Sequence, residues 1–223
     1  MRLPLAFEEN RGQVFDPAIR YVARLRNGMV AVSAGGASEP EVRWRRGCSH
    51  EGQVGSAQRV DEFGIRFIDS ASVTPIEGSA SRGRANFLLG NDPDRWLTNV
   101  PTYEQVEYRA LYRGIDVRLY GRAGELEYDL VAEPGADVEH VRIQITGARK
   151  IAIDGDGNLV ARTRCGKMRQ QVPVVYQNTR SGRQPIGSRY VLVGPDQVSI
   201  ALGERDPAVS LTLDTVLVYY STY

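Results

Sequence analysis

"VRIQITG", residues 141–147, alternates without a break: Val141, Ile143 and Ile145 fall on one side of an extended chain, and Arg142, Gln144 and Thr146 on the other. A period of two is that of a strand with one buried face and one wet face. "KIAI" continues it with Ile151 and Ile153, and "DVRLYG", "EYDLVAE", "RYVLVG", "VSIALG" and "SLTLDTVLVYYS" repeat it. No window of a dozen residues keeps helical apolar spacing without a Gly or Pro interrupting it. The best helix candidate, "TYEQVEYRALY" at 102–112, alternates equally well through Val106 and Tyr108. Turn chemistry separates the runs at "GNDPD" (90–94), "AEPGAD" (132–137), "DGDGN" (154–158), "RSGRQP" (180–185) and "VGPDQ" (193–197). The pattern predicts an all-β, antiparallel β-sandwich with many short strands and Gly/Pro turns. It reads as one domain over 1–223. Two loose segments rich in Ser, Gly and Ala, about 33–58 and 69–84, are loops around a short "EVRW" strand and are insertion sites rather than linkers.

A chain of 223 residues buries roughly 70% of its unfolded surface, enough for a core without metals or disulfides. The net charge of +1 lacks the basic excess of a nucleic-acid binder. Of 28 basic residues only Lys150 and Lys167 are lysines, a bias of genome composition rather than of recognition chemistry. The densest basic spot, Arg43-Trp44-Arg45-Arg46, reads as an exposed strand end, with a phosphate site as the alternative. No apolar run approaches the ~20 residues of a membrane span. "MRLPLAF" lacks the apolar core and cleavage site of a signal peptide, leaving a cytosolic chain or one whose export signal lies elsewhere. Cys48 and Cys165 have no CxxC spacing, so zinc is not supported. Two unpaired thiols and a single long-range disulfide both stay open; the bond would add about 3–4 kcal/mol.

Glu8 and Glu9 in "LAFEENRGQV" are adjacent, so on a strand they face opposite ways and cannot flank one scissile bond. Salt-bridging within the strand end accounts for them and for Arg11; ligand contact by Glu8, Asn10 and Arg11 is the alternative. In "DGDGN", Asp154, Asp156 and Asn158 match the first ligand positions of a calcium loop, but Leu159 and Cys165 stand where Gly and Glu are needed, so a hairpin turn is the better reading. His50 and His140 stand alone, and no HExxH, GxSxG, P-loop or GxGxxG accompanies them. No catalytic set, metal or cofactor is indicated. Trp96, Tyr103, Tyr108, Tyr112 and Tyr120 crowd one region and are either a sugar-stacking platform, led by Trp96 and Tyr103, or ordinary sheet aromatics.

"NFLLGNDPDRWLTNVPTYEQVEYRALYRGIDVRLYGRAGELEYDLVAEPGAD", residues 86–137, resembles the N-terminal β-rich domain of unknown function of bacterial proteins with seven-bladed β-propeller (SBBP) repeats. "LPLAFEENRGQ" at 3–13 resembles the start of that domain, and "RQQVPVVYQ", "GSRYVLVG" and "LTLDTVLVYYSTY" resemble its end. The resemblance implies an extracytoplasmic module, preceded by a signal peptide absent here and followed by propeller or Ig-like repeats. It brings no catalytic residues with it.

These readings lead to a non-enzymatic structural or interaction module of a secreted or cell-surface bacterial repeat protein. It would cap, space or attach downstream β-propeller or Ig-like repeats, with the apolar "VLVYYSTY" as a docking strand. A carbohydrate-binding module for surface glycans is the first alternative, and a glycan-active enzyme using Glu8 or Glu9 the second. No nucleic-acid partner and no membrane span are expected.

Overall fold

A computed structural model describes residues 5–25, 28–48, 60–79, 83–88, 90–122 and 125–221. His50 and most of the second half of the loose 33–58 segment lie outside them. In chain order the strands are β1 (Phe7–Glu9), β2 (Ile19–Leu25), β3 (Gly28–Ser33), β4 (Glu41–Gly47), β5 (Val60–Ile68), β6 (Ile76–Glu77) and β7 (Gly83–Phe87). There follow β8 (Leu97–Tyr103), β9 (Gln105–Tyr112), β10 (Ile115–Arg122), β11 (Glu125–Ala132), β12 (Arg142–Thr146), β13 (Lys150–Ile153) and β14 (Leu159–Arg162). The last are β15 (Gly166–Gln170), β16 (Val174–Thr179), β17 (Gly182–Ile186), β18 (Ser188–Leu192), β19 (Gln197–Leu202) and β20 (Leu211–Ser221). Single 3-10 turns lie at Pro93–Arg95 and Val138–His140. The candidate helix is strand β9, bent where Ala110 takes a positive φ and donates its N–H to Asp116.

The strands form two antiparallel sheets packed as a sandwich. Sheet I runs β18-β19-β12-β5-β4-β3-β2-β1-β8-β7, and sheet II runs β13-β14-β15-β20-β11-β10-β9-β6. β20 is the spine of sheet II. One edge pairs with β11 as far as Val216; the other pairs with β16 and then β15. Gln170 faces Leu217 while Val174 faces Leu213's neighbour Asp214, so one extra residue is absorbed between β15 and β16 as a bulge containing Pro173. The expected docking stretch, 216–223, begins where the β11 pairing ends: from Leu217 to Ser221 it pairs with β15 along one edge, and 222–223 lie outside the described residues.

Inward positions of both sheets make one core in which Ile143, Ile145, Val117, Leu119, Leu130 and Leu213 are buried. Ile151 joins it, whereas Ile153, expected to continue the alternation, is exposed. Phe67 of sheet I meets Tyr108 and Tyr128 of sheet II edge-on, each at 6.2 Å, a favoured aromatic geometry. Tyrosine hydroxyls bolt the layers. Tyr108 donates to Ser33 O at 2.7 Å, Tyr112 to Ile68 O at 2.9 Å, and Tyr190, from sheet I, to the bulge carbonyl of Gln171 at 3.1 Å. At one end a disulfide joins Cys48, just after β4, to Cys165 in the β14–β15 turn. Beside it the buried Asp61 of β5 accepts from the Thr163 hydroxyl and the Arg164 N–H. The basic run is split by its strand: Trp44 turns inward onto Phe63, stacked at 5.3 Å, and Arg43 turns outward to Glu41 at 2.8 Å.

Candidate functional site

The loop between β1 and β2 is organised by Asn10. Its amide nitrogen donates to Ile19 O at 2.9 Å and Val14 O at 3.1 Å, and its oxygen accepts from the N–H groups of Val14 and Gly12. Gly12, at φ 112°, makes the turn that other residues rarely adopt. The two glutamates part as the strand period requires. Glu8 pairs with Arg24 at 3.1 Å, whose guanidinium lies over the Phe87 ring, and Glu9 pairs with Arg11 at 2.9 Å.

This fixed loop holds Phe15 in solvent, 99% exposed. Leaving such a ring uncovered forgoes about 1.5–3 kcal/mol, and no contact among the described residues recovers it. Next to it Val14 packs on an apolar cluster on the outer face of sheet I, made by Ile19, Val22, Ala31 and Met29. A groove of about 430 Å³ runs from Phe15 past Ile19 and Met29 to Arg43, Arg45 and Glu62. An apolar ring beside an apolar trough with a charged rim has the composition of a contact surface. The motif "LAFEENRGQV" ends at Val14, one residue short of Phe15. The signal available was an apolar Val-Phe pair placed directly before the turn formers Asp16-Pro17.

β1 also pairs with β8, which sets Tyr103 opposite Phe7. Tyr103 meets Tyr21 edge-on at 5.8 Å, and the Tyr21 hydroxyl donates to Glu77 at 3.3 Å. Burial, then the Glu77 carboxylate, pushes both phenols above their usual range. Glu77 and Glu9 raise both phenols, and Arg11 and Arg84 oppose the rise at Tyr103. Trp96 is not with them. It closes the 3-10 turn at the other end of β8, roughly 20 Å of extended strand away, and its Nε1 donates to Gly90 O at 3.2 Å. Tyr108 is buried, Tyr112 bonds across the core, and Tyr120 lies on the outer face of sheet II against Asp129 at 2.9 Å. The five aromatics are dispersed and form no row.

The outer face of sheet II carries an ionic ladder assembled from distant segments. Register sets Glu107 beside Arg118, Arg118 beside Asp129, and Asp129 directly opposite Asp214. Burial raises the Asp129 carboxyl, with Tyr120 opposing and Asp214 adding to the rise; burial likewise raises Glu127, against Arg122. In "DGDGN" the Asp154 carboxylate accepts from the N–H groups of Asp156 and Asn158 and from the Asn158 amide, the bonding of a turn. Among the described residues no cluster of His, Cys, Asp and Glu is arranged to hold a metal. His140 is exposed and pairs with Asp137 at 2.6 Å, on the rim of a 770 Å³ cleft between Arg113-Gly114 and the Glu133–Ala136 turn.

Residues 7–216 match the family described as "Domain of unknown function (DUF7948)". The chain belongs to that family. The DUF7948 match runs from the first residue of β1 to the Val216 step of β20, so it takes in both sheets, the disulfide and the Phe15 loop. No curated protein and no solved structure matches the chain.

Proposed function

We propose that this DUF7948 domain is a non-enzymatic interaction module of a secreted or cell-surface bacterial repeat protein. Phe15 carries the reading: a fully exposed ring on a loop locked by Asn10, above an apolar groove, serves contact rather than folding. The inter-sheet disulfide supports an oxidising, extracytoplasmic setting. The resemblance to the leading domain of SBBP proteins supplies the partner, a β-propeller repeat packed against this surface. Calorimetric titration of the oxidised domain with a recombinant SBBP repeat array tests it. Binding that weakens at least about tenfold, or about 1.4 kcal/mol, in Phe15→Ser supports the proposal; absence of binding, or equal binding by Phe15→Ser, contradicts it.

Carbohydrate binding is a second reading, favoured by the half-buried Tyr103, which lies edge-on against the buried Tyr21 beside Glu77. A thermal-shift screen against glycans, repeated on Tyr103→Ala, separates this reading from the first.

A further inference from the structure

The outer face of β13, β14 and β15 holds a charge arrangement that the fold does not need. Register sets Lys150 opposite Arg162 and Arg162 opposite Lys167. Three exposed cations therefore stand side by side, one per strand, at steps of ~5 Å. Like charges directly opposite one another destabilise a sheet, and among the described residues none of the three side chains has a carboxylate or hydrogen-bond partner. Both lysines of the chain are in this row.

The adjoining row runs Ala152, Val160 and Arg169, each opposite the next. Its arginine is held at 3.4 Å by Asp154 and at 3.2 Å by Asp156. Together these residues line an open groove of about 610 Å³. In cross-section it has a wall of three cations unpaired among the described residues, a narrow floor of Ala152 and Val160 that ends at the ion-paired Arg169, and an opposite wall of carboxylates, of which Asp156 is the more exposed.

We propose that this groove binds an acidic polysaccharide, a linear chain of uronic acid units. The carboxylate of each successive sugar meets one cation of the row. The apolar face of the ring lies on Ala152 and Val160, and ring hydroxyls donate to Asp156. A nucleic acid fits the groove less well, because its phosphates would also meet Asp154 and Asp156. With a net charge of +1 there is no wider basic field to hold it. An acidic peptide matches the cations but brings no row of hydroxyl donors for the far wall.

The test is calorimetric titration of the whole domain with polygalacturonate oligomers, neutral dextran and oligo-dT. Three proteins are compared: the wild type, Lys150→Ser/Arg162→Ser/Lys167→Ser, and a charge-matched control, Arg20→Ser/Arg180→Ser/Arg189→Ser. Expected are polygalacturonate binding that weakens as salt is raised, a loss of at least about tenfold in the row variant, little change in the control and no response to dextran. The row variant should melt at the same temperature or a few degrees higher, since its repulsion is gone, so lost binding cannot be lost folding. The proposal is overturned by no binding to polygalacturonate, by equal loss in the control, or by tighter binding to oligo-dT, which would make the row a nucleic-acid contact.

Discussion

Gly64 leaves the space that the Glu41 carboxylate occupies. A Cβ there would lie 2.5 Å from Glu41 Oε1 and 2.7 Å from Thr146 Oγ1. The buried carboxylate is otherwise closed in by Thr146 at 2.6 Å, Arg43 at 2.8 Å and Arg66 at 3.3 Å. Gly64→Ala is predicted to displace it and to cost about 2–3 kcal/mol in urea denaturation, the scale of a disturbed buried ionic network. Asp214→Asn acts in the opposite direction. It removes a like-charge pair set face to face on sheet II and should stabilise by about 0.2–1 kcal/mol, read as a higher Tm. The alternation showed which side chains face inward, and it correctly put Glu8 and Glu9 on opposite faces. It carried no sign of the Glu41 knot or the Asp129–Asp214 pair, because each joins segments far apart in the chain and only register brings them together.

The strands themselves were the most legible part, since one-sided burial imposes a period of two wherever a sheet faces water. What the pattern could not carry was pairing. β20 collects β11 on one edge and the bulged β15–β16 run on the other, and nothing in an alternating stretch names its neighbours. The same holds for the cysteines, whose spacing left both states open. The bond closes a loop of 117 residues between the sheets. In the chain-entropy account a loop of that length is worth about 5 kcal/mol, more than the ~3–4 kcal/mol expected from the sequence. Cys48→Ser/Cys165→Ser is therefore predicted to lower Tm by about 10–20 °C in scanning calorimetry. A fall of only a degree or two would show that the Asp61 clasp and the tyrosine bolts hold the layers unaided.

Acid acts with opposite signs on the carboxyls packed into the two sheets. Burial works against ionisation of Glu41, but Thr146, Arg43 and Arg66 outweigh it and hold the carboxyl below its ordinary 4.5. Its stabilisation is present above that value and is lost as the pH falls through the lower folded one. Glu127 and Asp129 are raised above 4.5 and 3.8, chiefly by burial. Their contribution is complete below those values and is lost as the pH rises through the higher folded ones. Stability should therefore rise on mild acidification from neutrality and fall once Glu41 takes up its proton. Glu127→Gln/Asp129→Asn should flatten the rise and Glu41→Gln the fall, both followed as Tm against pH. At this scale the fold class was readable and the proposed contact surface was not. Phe15 becomes notable only when the loop bonded to Asn10 is seen to leave it uncovered beside Ile19 and Met29.

The most direct measurement is calorimetric titration of the oxidised domain, wild type and Phe15→Ser, with a recombinant SBBP repeat array. Saturable binding by the wild type, weakened at least about tenfold by the substitution with Tm unchanged, is what an interaction module built around this loop predicts. No heat with either protein, or identical affinity for both, would contradict it.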